Sequence, residues 1–280
     1  MTATQGAAPR ISVLIPAYNH EAFITECLDS VLASGGELLE ILVHDDGSRD
    51  ATHARAVAWA QARKGAPTVR VSTGPNQGPT RVLNDLLEAA GGEYVVALAS
   101  DDRLTPGGLS ALAAVLDDGA GAAFGEARVI DAAGIEQRTT FTPDKVRAGM
   151  RRDLVRELIM NWAIAGPVLM VRRSVLERVG GWDITLRVED WDLYLRLAAT
   201  DTLRHVDTVV ADYRVHSSNA SLDPTTERAR MREASLVAWR RARDFTGRNR
   251  ALLIAKAMYL RCLEFAGPMR GPLRAVRRQL

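Results

Sequence analysis

Two adjacent aspartates, Asp101 and Asp102, close the apolar run "EYVVALASDD". Carboxylates at a strand tip are hard oxygen ligands suited to Mg2+ or Mn2+, ions that keep coordination positions open for phosphate oxygens. The competing reading is a cap for the helix near "TPGGLSAL". Thr105 followed by Pro106 already supplies a cap there, so capping leaves the pair unexplained. In "HDDGSRDAT", Asp-Gly is a turn signal and Ser48 or Asp50 can cap the next helix, but turn chemistry does not need both Asp45 and Asp46. A carboxylate here could accept the N3–H of a uracil or thymine ring. "RVEDWDLYLRL" puts Glu189 and Asp190 at the front of a helix, where the macrodipole favours negative charge. Trp182 and Trp191 nearby offer aromatic surface for a sugar, and a carboxylate beside such a wall can act as a general base. His216 ends "DYRVH" and carries an imidazole suited to metal ligation, although a lone histidine is more often packed or at the surface.

The elements between these clusters alternate. "RISVLIPA" reads as a strand buried on both faces, "FITECLDSVLAS" as an amphipathic helix, "EILVHD" as a second buried strand and "ATHARAVAWAQAR" as a helix. "TVRVSTG" is a short strand, "PTRVLNDLLEAA" a helix and "EYVVALAS" a strand. This βαβ succession predicts a mainly parallel sheet with helices on both faces. Ligands of such sheets sit beyond the carboxyl ends of the strands, which here carry "PAYN", "HDDGS" and "ASDD". The clusters are therefore expected to converge on one edge. Further on, "RAGMRRDLVRELIMN" reads as a helix, "PVLMVRR" as a strand, "SVLERVGG" as a short helix, "LRHVDTVVADYRVH" as a pair of strands and residues 225–265 as helices.

Composition limits the class. A chain of 280 residues with 47% hydrophobic and 25% charged residues can bury its own core without disulfides, and the two cysteines, Cys27 and Cys262, lie in helical contexts that suit neither a disulfide framework nor a zinc site. No apolar leader or membrane-spanning run stands out, so a cytoplasmic location is expected. The net charge of +2 conceals an asymmetry: residues 1–222 hold 22 basic and 29 acidic side chains, whereas residues 223–280 hold 14 and 5. Such a tail suits either an anionic membrane surface or a solvated arginine-rich helix. It lacks the aromatic platform of a single-strand nucleic-acid binder, and no nucleic-acid partner is expected. The expected division is a catalytic domain over 1–222 and a basic helical extension over 223–280.

Taken in order, "ISVLIPAYNHEAFITECLDSVLAS", "DDGSRDAT", "NQGPTRVLN", "GGEYVVALASDD", "VLERVGGWD", "EDWDLYLRLA" and "YRVHSSN" resemble the family 2 glycosyltransferases, across about residues 10–220. The resemblance implies the GT-A fold and an inverting, Mn2+- or Mg2+-dependent transfer from a nucleoside-diphosphate sugar, of UDP or dTDP type, to a hydroxyl of a glycan or lipid-linked acceptor in cell-envelope synthesis. It further implies that Pro16, Tyr18 and Asp46 hold the nucleotide, with Asp46 at N3 of the base. Asp102 would be the direct metal ligand of a DXD-type motif whose first position is Ser100, Asp101 would contact the ribose or sugar, and His216 would complete the metal site. Asp190 would be the catalytic base. Leu83 stands where many members have arginine, so Arg81 is the candidate for the diphosphate. A sugar nucleotidyltransferase would want a glycine-rich basic loop after the first strand, which "IPAYNHEAF" lacks; a non-catalytic sugar-nucleotide-binding relative is the other alternative.

Overall fold

The computed structural model describes residues 10–63, 65, 67–217, 219 and 227–266. Alternating strands and helices open the chain: β1 (Ile11–Ala17), α1 (Ile24–Ala33), β2 (Leu38–Asp45), α2 (Thr52–Gln61), β3 (Thr68–Thr73), α3 (Pro79–Ala89) and β4 (Tyr94–Ala97). The two-residue β5 (Arg103–Leu104) and α4 (Gly108–Asp117) follow, then β6 (Ala122–Ile130), β7 (Glu136–Arg138), α5 (Asp144–Met150), α6 (Leu154–Met160), β8 (Leu169–Arg172), α7 (Arg173–Val179), α8 (Glu189–Ala198) and β9 (Leu203–Arg214). Two helices, α9 (Glu227–Arg241) and α10 (Gly247–Ala266), complete it.

One sheet runs β3-β2-β1-β4-β8-β6-β9-β5, with β7 paired to β6. β1 pairs in parallel with both β2 and β4, and β2 with β3. β8 is antiparallel to β4 and to β6, while β6 and β9 are parallel. Six strands (β1, β2, β3, β4, β6 and β9) therefore point the same way, and their carboxyl ends share one edge. β1 sits centrally and is buried along nearly its whole length, as expected of a strand covered on both faces, whereas β3 at the margin is mostly exposed. Val82, Leu86 and Leu87 turn one side of α3 into the core, and Cys27, Leu28 and Val31 do the same for α1.

Two readings of the sequence need correction. "LRHVDTVVADYRVH" forms a single 12-residue strand, because the pairing of β6 with β9 jumps from Phe124–His205 to Glu126–Val209. Two extra residues on β9 are taken up as a bulge where a turn was expected. "RAGMRRDLVRELIMN" splits at Arg151–Asp153, where the Asp153 carboxylate accepts the N–H of Arg156 and starts α6 anew.

α9 and α10 pack on the rest of the fold. Val237, Leu253 and Leu260 are buried in its core, while Met258 is 62% exposed. Asp192 on α8, fully buried, is paired with Arg196 and with Arg241 of α9, and Lys256 of α10 donates to the carbonyl of Met160. Residues 267–280, the end of the basic tail, lie outside the described residues. Among the described residues no helix is long and apolar enough to cross a membrane.

Candidate active site

The carboxyl edge carries the clusters. After β1, the chain turns through Tyr18, Asn19 and His20 into α1; Asn19 takes a left-handed φ of 54° and exchanges hydrogen bonds with the next loop, its N–H donating to Ser48 Oγ and its Oδ1 accepting from Arg49 N. Pro16 lies in β1 opposite His44, and Tyr18 is 41% exposed at the rim.

Asp46 is only 3% exposed, and its two carboxylate oxygens accept the backbone N–H groups of Gln77, at 2.7 Å, and Gly78, at 2.9 Å. It therefore pins the entry to α3 from beneath. Asp45 Oδ2 accepts from Ser48 N and Thr73 Oγ1, while its Oδ1 is buried with no hydrogen-bond partner among the described residues. The orphan oxygen is the observation that sequence alone could not supply. Arg81 is exposed on α3, and Asp85, one turn on, is taken by the side-chain amide of Gln77.

At the tip of β4 the two aspartates diverge. Asp102 is buried, and its Oδ1 accepts the backbone N–H of Arg214 at 2.8 Å. Burial, with the charge of Asp101 beside it, pushes its carboxyl well above the usual range. Asp101 instead faces two imidazoles: His216 Nε2 lies 3.0 Å from Oδ2, and His20 Nδ1 lies 3.7 Å from Oδ1. One ligand atom from each of His20, Asp101 and His216 falls within 4.8 Å of the others. Asp101 thus lies with the two imidazoles, while the strand that leads to His216 supplies the backbone N–H taken by Asp102 Oδ1.

Neither His20 nor Arg214 was singled out in the sequence. Arg214, fully buried, donates from Nε to the carbonyl of Asp101 and reaches Glu26 on α1, and its guanidinium lies 4.8 Å above the ring of Phe23. Phe23 in turn stacks on His216 with ring centroids 5.0 Å apart. Burial lowers the proton affinity of His20 below that of an ordinary histidine, which favours the neutral, ligating form. Thr105 does not cap α4; its hydroxyl donates to Val209 and ties β5 to β9.

Asp190 opens α8. β8 runs antiparallel to β4, so the residues before β8 lie at the same edge as Asp101, and Gly166 is among them. A methyl group on Gly166 would lie 4.0 Å from Asp190 Oδ2. Asp190 is exposed at the surface, and the protein crowded behind it pushes its pKa up to about 6. Glu189 is pushed up to about 8, by burial first and the charge of Asp190 second. Trp182 and Trp191, expected to offer aromatic surface to a sugar, are both buried, Trp191 donating to the carbonyl of Leu158. Trp162, partly buried on the segment leading to Gly166, packs edge-on against Tyr194 one turn below Asp190.

Residues 12–180 match the family described as Glycosyl transferase family 2. The chain belongs to that family. It is 33% identical over 204 residues to the uncharacterized protein MT1568 of Mycobacterium tuberculosis, covering 68% of this chain and 62% of that one. It is 29% identical over 210 residues to the probable glycosyltransferase YdaM of Bacillus subtilis, covering 68% and 46%. The chain thus spans under two thirds of the length of these curated relatives. Among solved structures, the family fold recurs in the mannosyltransferase PcManGT of Pyrobaculum calidifontis in complex with GDP-Man and Mn2+ (TM-score 0.65, 21% identity, 92% of this chain and 72% of that one). It recurs also in S. aureus TarS 1-349 in complex with UDP-GlcNAc (TM-score 0.69, 18% identity, 97% and 79%). These likenesses establish the GT-A fold, a mixed, mostly parallel sheet flanked by helices.

Proposed function

We propose that this chain transfers a sugar from a nucleoside-diphosphate donor to an acceptor hydroxyl with inversion at the anomeric carbon. The observation that carries the reading is the meeting, at one sheet edge, of the Asp101–His216 pair with Asp190 beside Gly166. Asp101 and His216 offer a carboxylate and an imidazole as a divalent cation requires, and they would hold one against the donor diphosphate. Bound there, the cation supplies Lewis-acid stabilisation of the charge that grows on the leaving group. Tyr18 at the rim would cover the base, and a carboxylate of the Asp45–Asp46 pair would accept a ring N–H, which suits uracil, thymine or guanine rather than adenine. Asp190 would take the acceptor proton, and the bare Cα of Gly166 would leave that hydroxyl room to approach from the side opposite the diphosphate.

The acceptor is proposed to be a glycan or lipid-linked sugar. Leu236 and Trp239 on α9 and Met258 and Tyr259 on α10 are exposed, and residues 223–280 carry the excess of basic charge. Both support contact with an anionic lipid surface, where each basic residue contributes on the order of 1 kcal/mol. Deleting residues 267–280 should weaken binding to phosphatidylserine vesicles, and unchanged binding would remove the tail from this role.

The deciding experiment is a thermal-shift screen against UDP, dTDP, GDP, CMP and ADP, each with and without Mn2+. A ligand that binds only the folded protein must raise its Tm. A cation-dependent rise with UDP, dTDP or GDP supports the donor site; no rise with any nucleotide refutes it.

A further inference from the structure

We propose that His20 is a ligand of the donor-site cation, which makes the site a set of two imidazoles and one carboxylate that selects transition metals over Mg2+. The inference rests on the cation-assisted donor site proposed above and adds a ligand, and a metal class, to it.

The geometry comes first. The two oxygens of Asp101 each face a different imidazole, Oδ2 toward His216 at 3.0 Å and Oδ1 toward His20 at 3.7 Å. Both rings are held in place: Phe23 stacks on His216 and meets His20 edge-on with centroids 6.0 Å apart, and the two imidazoles meet edge-on at 5.7 Å. His20 is fixed in its turn as well. Its N–H donates to Thr52 Oγ1, and its carbonyl accepts the N–H groups of Phe23 and Ile24.

Ser100 supplies an independent observation. Its Oγ lies 2.8 Å from His20 Nδ1, the nitrogen that also faces Asp101 Oδ1, and so fixes the ring with that edge toward the carboxylate. Ser100 also occupies the position where the DXD-type motif begins with aspartate, so the departure from the motif and the extra imidazole are one feature.

The chemistry of the donor set then fixes the preference. Mg2+ demands oxygen ligands and keeps its water, whereas imidazole nitrogen suits Co2+, Zn2+ and Fe2+, with Mn2+ between. Three protein ligands leave an octahedral ion open positions for diphosphate oxygens. Affinity should therefore run Mg2+ < Mn2+ < Co2+.

The test is Mn2+ binding to the full chain, read by loss of the free-ion electron paramagnetic resonance signal, with Mg2+ and Co2+ as competitors and with UDP and GDP present in parallel titrations. The wild type should prefer Co2+ to Mg2+. His20→Ala should weaken Mn2+ binding about tenfold or more and narrow the Co2+/Mg2+ ratio by a similar factor, with Tm little changed. His20→Gln, which keeps a polar side chain beside Ser100, should show the same narrowing if the alanine variant folds poorly. Wild-type affinity and ratio in the His20 variants would overturn the inference. So would loss of the ion in Asp102→Asn with retention in His20→Ala, an outcome that leaves the cation-assisted donor site standing. A wild type that binds no ion, with or without nucleotide, would overturn both.

Discussion

The backbone N–H of Arg214 donates to Oδ1 of Asp102 at 2.8 Å, so the second aspartate of the pair anchors the strand that delivers His216 to the first. Adjacent carboxylates thus have different work. Asp102→Ala should leave that buried N–H unsatisfied and cost about 1–3 kcal/mol in urea denaturation. Asp102→Asn keeps an acceptor and should cost less. Asp101→Asn should leave stability near wild type and remove the Tm rise produced by Mn2+ with nucleotide. If Asp101→Asn alone unfolds the protein, the division of labour is wrong.

Asp190 should set the acid limb of the rate profile. As a base it must be ionised, and with its pKa pushed up to about 6 the turnover should rise with pH through that region and fall below it. Asp190→Asn should lower kcat about 100-fold or more while leaving nucleotide binding unchanged. Loss of nucleotide affinity instead would place Asp190 on the donor.

Glu189 bears on the pH dependence of stability. Its folded pKa, pushed up to about 8, exceeds the ordinary carboxylate value, so its contribution to stability is fully present below the unfolded value near 4.5 and is lost as pH rises through about 8. Glu189→Gln should therefore gain stability relative to wild type most clearly at pH 9 and least at pH 4. Chemical denaturation at the two pH values checks this; an equal effect at both would mean that Glu189 ionises normally.

Asp46 and Asp45 separate by the same logic of partners. Asp46→Ala frees two backbone N–H groups at the start of α3 and should lower Tm as well as donor affinity. Asp45→Asn turns one carboxylate oxygen into a donor amide and should chiefly weaken nucleotides that present a ring N–H, read by comparing UDP and GDP with ADP. A Tm loss confined to Asp45→Asn would reverse the two roles.

Much of this was legible in the sequence because the period of the apolar residues reports on single elements. "RISVLIPA" and "EYVVALAS" could only be buried strands, and parallel order followed from the helices between them. The convergence of "PAYN", "HDDGS" and "ASDD" followed in turn. What could not be read was which member of an adjacent pair faces the site. Asp101 and Asp102 differ only in where β9 places its N–H, a contact 112 residues away in sequence. The same holds for Trp182 and Trp191, whose aromatic character says nothing of whether they line a cleft or fill the core. His20 was hidden because its partners, Ser100 and Asp101, are strand-tip neighbours only after β1 and β4 pair.

The helical extension should prove inseparable from the fold. Asp192 is fully buried between Arg196 of its own helix and Arg241 of α9, so its charge is met from both sides of the boundary placed at residue 222. Removing one partner of a buried ion pair leaves an uncompensated charge and costs about 3–5 kcal/mol. Arg241→Ala should be milder than Asp192→Ala, because Arg196 still balances the aspartate, whereas the loss of Asp192 strands two guanidiniums. Truncation after residue 222 removes Arg241 together with the buried Val237, Leu253 and Leu260, and should give an aggregating or molten product. Truncation after residue 266 retains these contacts and should melt as the full chain does. A cooperative, soluble 1–222 fragment with near wild-type Tm would show that the division expected from charge alone is also the division in stability.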